Sequence, residues 1–347
     1  MEGKTVPMSR ASRVVSTVCA ATAAALIANA AAAAPHYTLF DPPKSINTNP
    51  VGINGTGAIA GTYETTDGST TVTHGFLRAT NGTITAIHIA GAADTSVSGI
   101  NDGGEIAGFY RDSAGAIHGF VRAADGKVTA FDPEGSAGTF AEAINAKGVV
   151  AGFYEDSQKA IHGFVRATSG KVTSFDKSGA VSTTAFCINA GGTIGGTWTD
   201  SAGTSHGLVR LPNKTITSFD PPGSTGTAVR AINDKGSITG SYDDNARVVH
   251  GYVREAVGTI AEFDPAGQVA QTIPQSISAG GVIVGYYTYV PKNENRGFLR
   301  NAHGKISSFT VPQTEETYPS AINKAGMITG SYRMPPGLLP QGFVRGE

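Results

Sequence analysis

Cysteine is nearly absent: the 347 residues contain two, Cys19 and Cys187. Cys19 falls in a segment expected to be cleaved, which leaves one thiol and excludes an internal disulfide. Stability must then come from packing and sheet hydrogen bonds. Cys187 takes the slot held elsewhere by Ala143, Ala231 and Ala321, and reads as a small buried residue rather than a nucleophile. Charge is sparse too, at 15% of residues. No basic stripe is present, so a nucleic-acid footprint is excluded. Helical periodicity is missing beyond residue 35, and so is any apolar run long enough to span a bilayer. There is no Gly-x-Ser-x-Gly in a strand–turn–helix setting, no Asp-x-Asp-x-Asp-Gly loop and no metal-ligand cluster. No metal and no cofactor is called for.

The first 35 residues differ in kind from the rest. Lys4, Arg10 and Arg13 precede an uncharged Ala/Val-rich stretch from Val14 to Ala34 that ends in small residues. This pattern predicts a secretory signal peptide over 1–35 and a secreted or periplasmic protein. Cleavage removes Lys4, Arg10, Arg13 and Glu2, leaving 23 basic and 26 acidic residues, a formal charge of −3.

What fills the remainder is a repeat. Gly-(Phe/Leu/Tyr)-(Val/Leu)-Arg ends at Arg78, Arg122, Arg166, Arg210, Arg254, Arg300 and Arg345, at spacings of 44, 44, 44, 44, 46 and 45. An Ile-Asn pair with glycine three residues on keeps the same beat at Asn54, Asn101, Asn145, Asn189, Asn233 and Asn323, with Ser278 in the sixth place. Each period must be one supersecondary unit that hides its apolar faces against copies of itself. The third unit predicts strands at 140–144, 149–155, 161–167 and 171–176, each short, rich in β-branched and aromatic residues, and bounded by turn formers.

Four short antiparallel strands per period predict an all-β fold over 36–347, a seven-bladed β-propeller. The ends of the chain fit each other. His36-Tyr37-Thr38-Leu39-Phe40-Asp41-Pro42-Pro43 matches a fourth strand such as Thr215–Pro222, while the chain stops at Gly342-Phe343-Val344-Arg345, a third strand. The N-terminal strand is therefore expected to pair with the C-terminal blade and close the ring, removing a free edge. The strand ending in Ile-Asn is expected to be innermost, and the protein to be a monomer.

The units resemble the bacterial extracellular repeats called the HAF family, after His-Ala-Phe. The likeness rests on His-Gly-Phe at His74, His118 and His162, His-Gly-Leu at His206, His-Gly-Tyr at His250, and the Ile-Asn-x-x-Gly turns. Glycine stands here where that family has alanine, and units end in Phe-Asp-Pro. The resemblance implies an exported repeat protein and supplies no catalytic residues.

The repeated histidines and arginines invite a functional reading that geometry opposes. Equivalent third-strand residues of adjacent blades should lie about 15 Å apart, from strands spaced about 4.8 Å. Zinc ligands sit about 2.0–2.3 Å from the metal, so the histidines cannot share one ion. Across a three-residue turn, His118 faces Asp132, His162 faces Asp176, His206 faces Asp220 and His250 faces Asp264. These pairs are expected to fasten the outer strands. The arginines are expected to pack along blade faces.

Function is expected where the repeat is broken. Two residues before the isoleucine of each Ile-Asn or Ile-Ser pair stand Glu142, Phe186, Arg230, Gln275 and Ser320, some of them expected near the channel mouth. Tyr289 and Tyr318, beside amides and carboxylates, suit ring stacking against a sugar. Tyr287 reads as core, in the slot of Tyr110, Tyr154, Trp198 and Tyr242. Glu142, Arg230, Gln275, Tyr289 and Tyr318 are thus the candidate ligand-binding residues. The expected partner is a glycan or cell-envelope polymer, or another protein. Binding is favoured over catalysis; the competing reading is a polysaccharide lyase or hydrolase working at the channel, with catalytic residues unassigned.

Overall fold

A computed structural model describes residues 35–334 and 339–346. The expected signal peptide, residues 1–35, lies outside them apart from Pro35. The described residues form 28 β-strands and no helix. From Asn47 to Phe309 the strands follow one another in six antiparallel groups of four, each returning on its neighbour, and three more strands follow from Glu316. In the third group they are Ser136–Ile144, Val150–Asp156, Ile161–Arg166 and Val172–Phe175. Three of these follow the sequence pattern closely. The first begins four residues earlier than expected, because Gly138 pairs with Glu155 and also bridges to Ile117 of the preceding group. Single parallel bridges of this kind, at Gly138–Ile117, Ile161–Ser182 and Val249–Gln271, join neighbouring groups into sheets of twelve and eight strands. At the ends of the chain, Tyr37–Phe40 pairs antiparallel with Gln341–Arg345, from Tyr37 opposite Arg345 to Phe40 opposite Gly342. That strand is the outer member of a sheet with Glu316–Ile322 and Ile328–Arg333.

The core lies between successive groups. Each third strand contributes one large side chain with no exposed surface: Phe76, Phe120, Phe164, Leu208, Tyr252, Phe298 and Phe343. Each second strand opens on another: Ile59, Ile106, Val150, Ile194, Ile238, Ile283 and Ile328. Burying such a side chain stabilises by roughly 1.5–3 kcal/mol, the main favourable term where, among the described residues, the one cysteine is free.

The recurring phrase Gly-Phe-Val-Arg is now explicable. A Cβ on Gly163 would lie 2.7 Å from the Phe175 ring, and the same obstruction meets Gly119 and Gly207 at Phe131 and Phe219. The phenylalanine of each Phe-Asp step covers this glycine, so alanine does not fit. That ring then receives the arginine of the next unit. Arg166 stacks over Phe131 at 4.9 Å, Arg210 over Phe175 at 4.8 Å and Arg254 over Phe219 at 5.0 Å. Arg345 over Phe309 and Arg78 over Phe40 continue the pattern. Glycine, aromatic and arginine together join one group to the next.

Candidate binding site on the inner strands

The first strand of every group carries the same irregularity. Its register slips by one residue three positions before the Asn or Ser of the turn. The extra residues are Val51, Ser98, Glu142, Phe186, Arg230, Gln275 and Ser320. A bulge re-aims its side chain and leaves its own backbone unpaired, and such features gather beside functional sites. The opposite strand must approach closely to follow it. A Cβ on Gly152 would stand 2.1 Å from the Phe140 carbonyl oxygen, and one on Gly196 2.0 Å from that of Thr184. Glycine alone is tolerated there.

The turns beyond the bulges hold the inner strands together. Asn54, Asn101, Asn145, Asn189 and Asn233 are buried, and each donates from Nδ2 to the backbone carbonyl of the next turn at 3.0–3.2 Å. Asn323 donates to the carbonyl of Asn54 at 2.9 Å. Each side-chain oxygen meanwhile accepts amides of its own turn, as Asn145 does from Lys147 and Val149. Ser278 accepts from Val282 but is too short to pass the relay on to Asn323. The Ile-Asn marker is thus the fastening of the inner strands.

Two of the candidate residues line one cavity of about 300 Å³, Gln275 and Tyr318, together with Asn49, Tyr286, Ser320 and Arg333. The Tyr286 and Tyr318 rings meet edge to face at 5.1 Å. The Tyr318 hydroxyl accepts from Asn295 Nδ2 at 3.0 Å, while burial and then Glu316 push its pKa up to about 12. The Ser320 hydroxyl donates to the Pro50 carbonyl at 2.6 Å.

Glu142 and Arg230 occupy equivalent bulges two groups apart. Glu142 keeps some exposed surface yet sits deep among protein atoms, and this desolvation pushes its pKa up to about 7 against the opposing pull of Arg230. Arg230 is exposed, and its charge also acts on Tyr286, whose pKa burial raises. Phe140, two residues before Glu142, stacks on Phe153 at 4.8 Å, and Phe153 meets Phe186 at 6.2 Å. These bulges lie part-way down the inner strands rather than at their ends. Tyr289 stands apart from this group. It packs beside the cluster of Val253, Phe263 and Phe298, with the Arg296 guanidinium 4.2 Å over its ring. Tyr287 is buried. Asn49 and Arg333 also line the cavity and were not singled out by the sequence pattern; Tyr286, one of the added tyrosines of the sixth unit, was noted there but not chosen as a candidate.

The repeated histidines lie elsewhere, on the third strands. Nδ1 of His118, His162, His206 and His250 lies 2.7, 2.9, 2.8 and 2.6 Å from Asp132, Asp176, Asp220 and Asp264. Nε2 faces a second carboxylate, Asp112, Asp156, Asp200 or Asp244, at 3.4–3.5 Å. Asp132 accepts in addition from Thr139 of the following group at 2.6 Å. The His118 pKa is raised, chiefly by the hydrogen bond to Asp132. In the first group, His88 replaces the aspartate and the His74 pKa is lowered, by burial first and His88 second. Among the described residues no cluster of His, Cys, Asp and Glu is arranged to hold a metal ion.

No family model matches the sequence, and no curated protein matches it. Solved structures do. A streptogramin B lyase is 13% identical over 89% of this chain and 97% of its own, with a TM-score of 0.59. The β-propeller domain of the Trilobed protease from Pyrococcus furiosus is 8% identical over 87% and 95%, with a TM-score of 0.64. A virginiamycin B lyase from Staphylococcus aureus is 13% identical over 90% and 100%, with a TM-score of 0.53. At these identities the likeness is one of fold: the chain is an all-β propeller.

Proposed function

We propose that this chain is an exported seven-bladed propeller that binds a glycan or cell-envelope polymer in the cavity bounded by Gln275, Tyr286 and Tyr318. The leader pattern supports export. Six successive groups of four strands, a seventh completed by the N-terminal strand, and the asparagine bond from the last turn back to the first support seven blades closed on that strand. The observation that carries the binding reading is the cavity itself. Two tyrosine rings, the Gln275 and Asn49 amides and the Ser320 hydroxyl surround about 300 Å³, a size and chemistry suited to a polyhydroxylated ring. Isothermal titration against cell-wall and exopolysaccharide fragments tests it. Saturable binding weakened at least tenfold by Tyr318→Ala or Gln275→Ala is expected; binding that ignores both changes sinks the assignment.

Glu142 favours a second reading, catalysis. A carboxyl group titrating near neutrality beside an arginine suits proton abstraction next to a sugar carboxylate, with Arg230 neutralising the charge that develops. Turnover of uronate polymers that disappears in Glu142→Gln would support it.

A further inference from the structure

The tyrosine cavity carries charge at one place. Its lining is otherwise aromatic, amide, hydroxyl and proline side chains, and Arg333 alone among them is ionised. Strand pairing fixes where that charge enters. Across the last group Tyr318 stands opposite Ser331, and Glu316 opposite Arg333. Side chains two residues apart share a face and are spaced about 7 Å along a strand. Arg333 therefore joins the lining one such step along from the level of Tyr318.

Its guanidinium is half exposed and little used. Nη1 donates to Glu316 Oε2 at 3.5 Å, the outer limit of a hydrogen bond, and among the described residues the group makes no other ion pair or hydrogen bond. Glu316 is also held from elsewhere, since its Oε1 accepts from Asn295 Nδ2 at 3.1 Å. The same amide nitrogen donates to the Tyr318 hydroxyl at 3.0 Å, so Asn295 fixes carboxylate and ring together. A guanidinium offers five donors in a planar fork that matches a carboxylate. Most of that fork is left over in a cavity otherwise built for a sugar.

We infer that the saccharide seated here is acidic: its ring lies against Tyr286 and Tyr318 while a carboxylate borne on that ring takes the open edge of Arg333. The inference rests on the binding reading above and names the chemistry of its ligand. A uronic acid holds its carboxylate one bond off the ring, so ring and charge are separated on the scale of one strand step. Pairing of this two-pronged, charge-assisted kind is about twice as strong as a neutral hydrogen bond and also fixes orientation. It selects as well. A neutral sugar leaves the guanidinium to water, and an amino sugar sets a second cation against it.

The test compares, by titration calorimetry, galacturonate and mannuronate tetramers, the methyl ester of each, a sulfated galactose tetramer and a chitosan tetramer. At least one acid is expected to bind tenfold or more tightly than its ester, with chitosan weakest. Arg333→Gln should bring that acid down to the level of its ester, while Arg333→Lys, which keeps the charge but not the fork, keeps part of the preference. An unchanged thermal midpoint shows that either variant is folded. Raising salt from about 50 to about 500 mM should weaken the acid and spare the ester. An ester that binds as well as its acid, with Arg333→Gln without effect, overturns this inference and leaves the glycan reading standing. Preference for the sulfated tetramer, lost in Arg333→Gln, overturns the choice of carboxylate. Acid binding that needs Arg333 but ignores Tyr318→Ala and Gln275→Ala overturns both readings, because the charge then acts without the ring contacts. Failure of every probe while cell-wall fragments still bind overturns the inference alone; failure of those fragments as well overturns both.

Discussion

Replacing Glu142 by Gln should stabilise the protein at pH 8 and leave it nearly unchanged at pH 4.5. The carboxyl group titrates near 4.5 when solvated and is pushed up to about 7 in the folded chain, by burial first, against the pull of Arg230. The sign follows from proton binding. Between these values the folded state holds more protons than the unfolded one, so stability falls as pH rises through that window. Below it both states are protonated, and above it the full cost of burying the carboxylate is present. A difference of about 2.5 units at about 1.4 kcal/mol each gives roughly 3 kcal/mol. This is an upper figure, because the side chain keeps some contact with solvent. The assay is urea unfolding of wild type and Glu142→Gln from pH 4.5 to 8, read as midpoints at constant slope. The histidines also titrate here, but they lie on the third strands, so their effect cancels in the difference. A stability difference that stays flat across the window would refute the reasoning.

Four further outcomes are expected. Gly152→Ala should lower stability by roughly 1–3 kcal/mol, because its Cβ would meet the Phe140 carbonyl oxygen at 2.1 Å at a buried position of its strand; thermal unfolding checks this. Ser278→Asn should add roughly 0.5–1.5 kcal/mol by donating to Asn323, the net worth of one hydrogen bond; an unchanged midpoint would mean the relay is not continuous there. His118 binds its proton more tightly when folded, chiefly through Asp132. Its contribution should be complete below about pH 6.5 and be lost as pH rises through the folded value, so wild type and Asp132→Asn should converge at high pH. Cys187 is buried, donates to the Gly195 carbonyl, and has its pKa pushed up to about 12 by burial. It should resist iodoacetamide at pH 8 until the protein is unfolded, a contrast that mass spectrometry reads directly.

The period of 44 made the four-strand unit legible, since each strand is short and bracketed by turn residues. The His–Asp facing was legible too, because a hairpin turn of known length brings positions together. What escaped was everything requiring two units at once. The phenylalanine beneath Arg166 belongs to the preceding repeat, and the carbonyl bound by Asn145 to the next. The bulges were invisible because an inserted residue that recurs in every copy leaves the period untouched. Their occupants showed only as variation at one position, which drew attention to Glu142 and Arg230 without explaining their placement. Tyr289 was chosen over Tyr286 for a related reason. In a crowded strand, alternation says that neighbours differ in face, but the sequence does not say which face looks into the cavity.

The asparagine relay separates two quantities that repeat proteins usually blur. Forty-four residues are the unit that the chain copies, but they are not a unit that can fold. Every turn but that of Ser278 lends its donor to the carbonyl of its successor, and every arginine but Arg122 rests on an aromatic ring supplied by its predecessor. An excised copy would therefore expose an unmet need at each side, one for hydrogen bonding and one for stacking. Duplication could multiply such copies cheaply, yet natural selection could act on them only as a set.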